Sequence, residues 1–329
     1  MVIDIHVHIA GTGNESDCHM SEALRKSPAY LLMLLTTGQI FGKVNDQAIR
    51  KHLLETLSGS ELVDRAVFLA LDAIPDIKGR PDLEQSHLYT PNDYVADIAE
   101  REPKVLFGAS VHPDRPDACD ELERVAARGA VLNKWIPSSQ AIDPRRKRYL
   151  KFYRKLAELG LPLLCHAGAE HAVPAPEPEK RHRKLDNPGH LREVLDAGVT
   201  VIVAHCAMPV FASDPDYTQD FIALMRECEH KEWKLFADVS ALAGPFPHRV
   251  GLLKKVVDEL PHDRLLLGSD YPIPVSPLWP GAAGEINVKE WGEAALTMNP
   301  LDRNVKMVRA LGFSAEVLTN AEKILRLPA

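Results

Sequence analysis

The 329-residue chain lacks the features that mark secreted, membrane-spanning and nucleic-acid-binding proteins. Its start, MVIDIHVH, has neither the basic residues nor the apolar core of a secretory signal. The longest apolar cluster, residues 29–41, is too short and too polar at its end to span a bilayer. Acidic residues outnumber basic ones by 46 to 39, so the net charge of −7 gives no electrostatic case for binding nucleic acid or an anionic membrane.

Cysteine is also scarce. The five cysteines are an odd number without a C-x-x-C pair, which excludes a disulfide framework and a zinc-finger pattern. Cys165 and Cys206 lie in apolar runs and are expected to be small core residues. We therefore expect a cytoplasmic protein.

What the chain does have is a regular succession of short apolar runs, most of them continuous, as is typical of parallel strands buried on both faces. The eight runs are 2–8, 65–71, 105–111, 130–136, 161–166, 200–205, 234–240 and 264–270. Amphipathic stretches at 117–129, 145–160 and 251–261 lie between them, and Gly129 and Gly160 follow the first two where a helix C′ glycine is expected. Eight such units predict an α/β fold, a single (β/α)8 TIM barrel over residues 1–329.

The first unit is too long by about one helix. We therefore expect residues 12–45 to be a helical insertion, or lid, over the site. Its apolar segment at 29–41 fits three structures: a lid, a core helix, or a contact in a homodimer.

Side chains suited to metal chemistry stand at the ends of the predicted strands, where barrel enzymes build their sites. They are His6 and His8 after strand 1, His112 after strand 3, Lys134 on strand 4, His166 after strand 5, His205 after strand 6 and Asp270 after strand 8. Residues i and i+2 of a strand share a face, so His6 and His8 point to the same side. A single histidine there is most often structural, but several imidazoles and a carboxylate are costly to bury together without a partner. A divalent metal ion is such a partner.

These motifs resemble those of the amidohydrolase superfamily. The H-x-H of strand 1, the later histidines and the GSDYPIP loop (268–274) carry the resemblance, and HAG (166–168) and NAEKIL (320–325) are similar to its amidohydrolase-2 branch. That branch includes aminocarboxymuconate-semialdehyde decarboxylase and related decarboxylases, hydratases and lactonases. The resemblance covers essentially the whole chain.

The resemblance implies one divalent ion, most simply zinc, with manganese or iron as alternatives. Its ligands would be His6, His8, His166 and Asp270. His205 would lie beside the ion, where it and Asp270 act as catalytic residues on the attacking water.

Lys134 leaves three alternatives open. In binuclear members of the superfamily a strand-4 lysine is carboxylated and bridges two metal ions, which would move His166 and His205 to the second ion. An unmodified lysine could instead bind a substrate carboxylate, or simply line the rim. His112 and Arg249 are further candidate substrate contacts, although His112 could equally bond to a loop.

The resulting prediction is a metal-dependent hydrolase in which metal-activated water attacks the amide, ester or lactone carbonyl of a small organic acid. The first alternative is a nonoxidative decarboxylase, a carbon–carbon lyase that uses the same ligands. The second is an inactive metal-binding barrel that acts as a scaffold.

Overall fold

The computed structural model describes residues 1–38, 45–178, 182–244 and 247–328. Its main sheet has eight parallel strands, each paired with the next along the chain. The strands are β1 (Ile3–His8), β2 (Arg65–Leu69), β3 (Val105–Ala109), β4 (Leu132–Trp135), β5 (Leu163–Cys165), β6 (Val201–Val203), β7 (Leu235–Asp238) and β8 (Leu265–Leu266). All eight predicted strands are confirmed, with shorter bounds.

The segment after β8 closes the sheet against β1. The Ile5 N–H donates to the Leu267 carbonyl at 3.0 Å, and the His8 N–H donates to the Tyr271 carbonyl at 2.8 Å. These bonds join the last strand to the first, which confirms the predicted (β/α)8 barrel.

Strand β1 carries an irregularity in the segment that contains His6. Its register against β2 shifts between Asp4 and Val7. Ile3 and Ile5 pack inside the barrel, whereas Val7 packs in the layer between strands and helices. A β-bulge changes the face that later side chains occupy, so His6 and His8 can turn together towards the mouth of the barrel.

In the described ranges, the α-helices lie mostly around the outside of the barrel. In chain order they are α1 (Glu22–Arg25), α2 (Pro28–Thr36), α3 (Asp46–Ser58), α4 (Asn92–Arg101), α5 (Ala118–Ala127), α6 (Leu150–Glu158), α7 (Arg192–Asp196), α8 (Tyr217–Glu227), α9 (Arg249–Glu259), α10 (Leu278–Ala282), α11 (Val288–Leu296), α12 (Pro300–Ala310) and α13 (Ala321–Ile324). Gly129 and Gly160 follow α5 and α6 with φ of 87° and 60°. Glycine adopts this left-handed conformation without a Cβ penalty.

Two apolar layers hold the barrel together. The inner layer contains aliphatic side chains such as Leu106, Leu164 and Ile202, and α13 packs against its lower end through Ala321. The outer layer joins the strands to the helices, and the predicted core residues Cys165 and Cys206 belong to it. The mouth is left for polar side chains.

The chain between β1 and β2 stands over that mouth. Asp46 fixes it, because its carboxylate accepts hydrogen bonds from Thr12, Glu15 and Ser16. A ribbon that the sequence did not predict pairs His19–Met20 with Leu88–Tyr89.

Helix α2 has no fully buried residue. The core-helix alternative for residues 29–41 is therefore wrong over the described part of that segment. Residues 39–44 of the predicted insertion lie outside the described residues. No helix in the described ranges is long and apolar enough to cross a membrane.

Candidate metal centre

His6 and His8 lie side by side at the end of β1. Their Nε2 atoms are 3.1 Å apart. Asp270 Oδ1 lies 3.0 Å from His8 Nε2 and 3.4 Å from His6 Nε2. The Asp270 N–H donates to the His6 carbonyl at 2.8 Å, which fixes the loop after β8 to the end of β1. The structure thus brings three of the four predicted ligands together.

The histidines after β5 and β6 border this group. The His205 ring stacks on His6 with centroids 5.0 Å apart, and the His166 ring lies edge-on to His205 at 5.2 Å. Potential ligand atoms of His6, His205 and Asp270 all lie within 4.8 Å of one another. The geometry therefore places His205 as close to the candidate ion position as a ligand would be.

His166 shows an unsatisfied nitrogen. Its Nε2 is buried without a hydrogen bond, and Glu170 Oε2 lies 3.4 Å away. A buried polar atom without a partner calls for an explanation, such as an absent ion. Sequence reasoning missed Glu170, because it lies inside the loop after β5 rather than at a strand end.

Asp238, the last residue of β7, orients both central histidines. Its Oδ2 accepts a hydrogen bond from His6 Nδ1 at 2.7 Å. Its Oδ1 accepts hydrogen bonds from the His205 N–H at 2.9 Å, the Ser240 N–H at 3.1 Å and the Ser240 hydroxyl. The Ser240 hydroxyl donates its only proton to Asp238. Its Oγ can therefore only accept a hydrogen bond from His205 Nδ1, which lies 2.7 Å away. Both rings thus carry their proton on Nδ1, so each Nε2 keeps a lone pair that could bind an ion.

Asp238 and Ser240 were also missed from the sequence. The pattern that could have found them was the same one that found His205, since Asp238 ends an apolar run at the same rim.

The charge states of the centre suit a metal ion. Burial, together with the Lys134 charge, lowers the pKa of His6 to about 4. Burial also lowers the pKa values of His166 and His205. For Asp270, burial alone would raise the pKa, but His205, His8 and His6 outweigh it and hold the pKa well below its usual range. Neutral imidazoles beside an ionised carboxylate are the ligand forms that divalent metals bind.

The backbone is strained at two of these residues. His205 and Asp270 have φ of 57° and 62°, in the left-handed region that residues other than glycine rarely adopt. Such strain persists where surrounding bonds hold it and concentrates at functional sites. Here the bonds from His205 to Asp238 and from Asp270 to His6 hold it.

Lys134 lies beneath the centre. It is fully buried, and its Nζ is 3.0 Å from His6 Nε2. Burial lowers the pKa of its amine, partly offset by the nearby Asp238 and Asp270. The amine therefore contacts a predicted ligand directly.

The other two predicted substrate contacts, His112 and Arg249, lie in different cavities. The His112 ring is bound to the Gln140 carbonyl at 2.8 Å and lines a second, smaller cavity of about 230 Å³. Arg249, the first residue of α9, is buried, and its guanidinium donates to the carbonyls of Met208, Pro209 and Ala241. Arg249 lines the same cavity as the candidate metal centre.

That cavity has a volume of about 580 Å³ and lies between the barrel mouth and the insertion. His8, His166, His205 and Asp270 all line it, and α2 contributes to its wall. The volume is within the usual range for small-molecule sites, roughly 300–1,000 Å³.

A family model described as Amidohydrolase (Amidohydro_2) matches residues 3–302. The chain belongs to the amidohydrolase family. Members of this family are metal-dependent hydrolases or decarboxylases, so the chain is an enzyme of that kind. A search of curated proteins gave no match.

Solved structures share the fold of this amidohydrolase. A probable 2-pyrone-4,6-dicarboxylic acid hydrolase from Acinetobacter baumannii, with citric acid bound, is 16% identical, covers 98% of each chain and has a TM-score of 0.58. The 5-carboxyvanillate decarboxylase from Sphingomonas paucimobilis is 11% identical, covers 99% of each chain and has a TM-score of 0.53. A 5-carboxyvanillate decarboxylase from Novosphingobium aromaticivorans, with bound manganese, is 14% identical, covers 98% of this chain and 96% of its own, and has a TM-score of 0.52.

The residues of the amidohydrolase centre fit the metal on which the family depends. They provide nitrogen and oxygen donors in their deprotonated forms, a buried His166 nitrogen without a hydrogen bond, and an Asp238 carboxylate behind the ligands. Carboxylates that orient ligating histidines in this way are a regular feature of metal sites. The donor set suits zinc, manganese or iron.

Proposed function

We propose that the protein hydrolyses an amide, ester or lactone bond of a small organic acid, with one divalent ion held by His6, His8, His166 and Asp270. The observation that carries this proposal is the convergence of His6, His8 and Asp270 beside a cavity of about 580 Å³, which His8 and Asp270 line. A divalent ion supplies a Lewis acid that polarises the carbonyl and makes a water acidic enough to lose its proton near neutral pH.

In this proposal Asp270 accepts the proton of the attacking water. The neighbouring imidazoles keep its pKa low, so the carboxylate is ionised at neutral pH, which is the form that a general base needs. The strained backbone and the N–H bond to the His6 carbonyl hold the Asp270 side chain in place.

We assign His205 a part in the same proton transfer. Its Nδ1–H is fixed by Ser240 Oγ, so its Nε2 can accept a proton or approach the ion. His205 is thus held in one orientation, as a general base requires.

Arg249 is our candidate for substrate binding in this cavity. Burial lowers the pKa of its guanidinium to about 10, so it is still charged at neutral pH. We propose that this charge attracts a substrate carboxylate towards the base of the cavity. The interpretation of Lys134 as a rim residue or substrate contact stays a prediction, as does that of His112.

A decarboxylase is the second candidate function. The observation that favours it is the pair of buried basic side chains near Asp270, namely Arg249 in the cavity wall and Lys134 beside His6. Cations that hold a carboxylate are what decarboxylation on a metal site requires.

Three further expectations also stay predictions: zinc as the natural ion, a cytoplasmic location and a homodimer.

The test compares the metal-loaded protein with a chelator-treated sample on ester, lactone and carboxylic-acid substrates. Hydrolysis predicts acid release without carbon dioxide, dependence on metal, and loss of turnover in Asp270→Asn. Carbon dioxide release without net water uptake would favour the decarboxylase. If removal of the metal leaves both activities unchanged, both candidate functions are contradicted.

A further inference from the structure

The wall of the active-site cavity is aliphatic over most of its extent. Beyond the metal centre, much of the wall comes from the insertion, from α3 and from the loops after β6 and β8. Its side chains include Leu24, Leu32, Met33, Leu53, Val210 and Ile273. Aliphatic surface of this kind gains free energy when an apolar group replaces water against it.

The charged groups of the wall are already engaged. Arg249 donates to three backbone carbonyls. His171 is paired with Asp214 at 3.0 Å, and Glu170 accepts hydrogen bonds from the N–H groups of Ala172 and Val173. Among the lining residues that the structure describes, Arg249 is the only lysine or arginine. A small polyanion would find one such cation here and a largely apolar wall.

Methionine is concentrated in this wall. Met20, Met33 and Met208, three of the seven methionines, line the cavity. The unbranched methionine side chain adapts to flexible partners and is over-used at apolar binding surfaces. By contrast, Tyr30 and Phe211 are the only phenylalanine, tyrosine or tryptophan side chains among the described lining residues, so an aliphatic partner is favoured over a flat aromatic one.

We propose that the substrate carries a medium-length aliphatic chain on its reacting carbonyl, and that this chain occupies the cavity between α2 and the barrel mouth. The assignment of the reacting end rests on the proposed function. The aliphatic site itself depends only on the cavity wall.

The test measures binding of a straight-chain carboxylate series, from propanoate to octanoate, by calorimetry on metal-loaded and metal-free protein. Each methylene that enters the cavity should lower the Kd about fourfold, so octanoate should bind about 250-fold more tightly than butanoate. The heat-capacity change should become more negative along the series. A flat series, or tighter binding of citrate or 2-naphthoate than of octanoate, would overturn the proposal.

Helix α2 offers a matched pair of variants. Leu32 lines the cavity, whereas its neighbour Leu31 faces outward with 54% of its surface exposed. Leu32→Asn should weaken octanoate binding at least tenfold and leave propanoate binding unchanged, while Leu31→Asn should change neither. Equal effects of the two variants would contradict the assigned wall.

The same experiment separates this proposal from the proposed function. Dependence of binding on chain length in metal-free protein supports the aliphatic site even if no hydrolysis is found. Hydrolysis of short and long acyl substrates at equal kcat/KM, with a flat binding series, would leave the hydrolase standing and remove the aliphatic site.

Discussion

Replacing Asp238 by asparagine is predicted to weaken metal binding without removing a metal ligand. Every group that contacts the Asp238 carboxylate is a donor: the His6 ring on Oδ2, and His205 and Ser240 on Oδ1. An asparagine side chain keeps one acceptor oxygen but replaces the other with an NH₂ group. The NH₂ group of the asparagine must therefore face a hydrogen-bond donor, whichever way the amide is turned.

The number of donors around each oxygen decides which position the NH₂ group takes. Oδ1 accepts three hydrogen bonds and Oδ2 accepts one, so the amide oxygen is expected at the Oδ1 position and the NH₂ group beside His6. His6 must then carry its proton on Nε2, the atom that faces His8 and Asp270. This tautomer cannot bind an ion through Nε2.

The expected loss is about 10- to 100-fold in metal affinity, or about 1.4–2.7 kcal/mol of binding free energy. If the NH₂ group instead faces His205 and Ser240, buried N–H groups lose their acceptor, at about 1–3 kcal/mol of folding stability. Competition with a chromophoric chelator measures the first quantity, and chemical denaturation of metal-free protein measures the second.

Asp4→Asn is the matched control. Asp4 is buried in β1, the strand that carries His6. Its Oδ1 accepts hydrogen bonds from the N–H groups of His6 and Ser269, and an amide oxygen can accept the same bonds. Burial raises the pKa of Asp4 to about 7, so a neutral side chain is tolerated there. Asp4→Asn should leave metal affinity unchanged. Wild-type metal affinity combined with wild-type folding stability in Asp238→Asn, or an equal loss of metal affinity in both variants, would refute the reasoning.

Three further changes test the same centre. The double variant His6→Ala with His8→Ala should lose metal while far-UV circular dichroism shows a folded barrel; unchanged metal content would refute the ligand assignment. Asp270→Asn should keep part of its metal and lose about 10²- to 10⁴-fold in kcat, and near-normal turnover would exclude Asp270 as the base. Lys134→Met should leave the metal content at one ion per chain, whereas a fall from two ions to one would identify a carboxylated, bridging Lys134.

The barrel was predictable because its strands are encoded locally. Each strand is a short apolar run buried on both faces, and Gly129 and Gly160 mark helix ends by a conformation that favours glycine. The architecture then brings the strand ends to one rim, so His6, His8 and Asp270 could be placed together from the sequence. The bulge in β1, which changes the direction of the two histidines, has no such local signature.

The remaining parts of the site depend on tertiary contacts. His112 follows β3 by three residues, and the turn after β4 brings the Gln140 carbonyl to its ring. Glu170 approaches His166 only because the loop after β5 folds back. The aliphatic wall is assembled from segments far apart in the chain, so it could not be predicted from strand periodicity. Asp238, in contrast, ends a strand and was within reach of the same reasoning.

The metal content of the protein, purified without chelators or added metal, is the most direct test of the metal centre. Elemental analysis by plasma mass spectrometry, normalised to protein, should find about one divalent ion per chain, with zinc as the expected element. The His6→Ala, His8→Ala variant, purified in parallel, should contain none. A metal-free wild-type protein that also takes up neither zinc nor manganese would contradict the central claim.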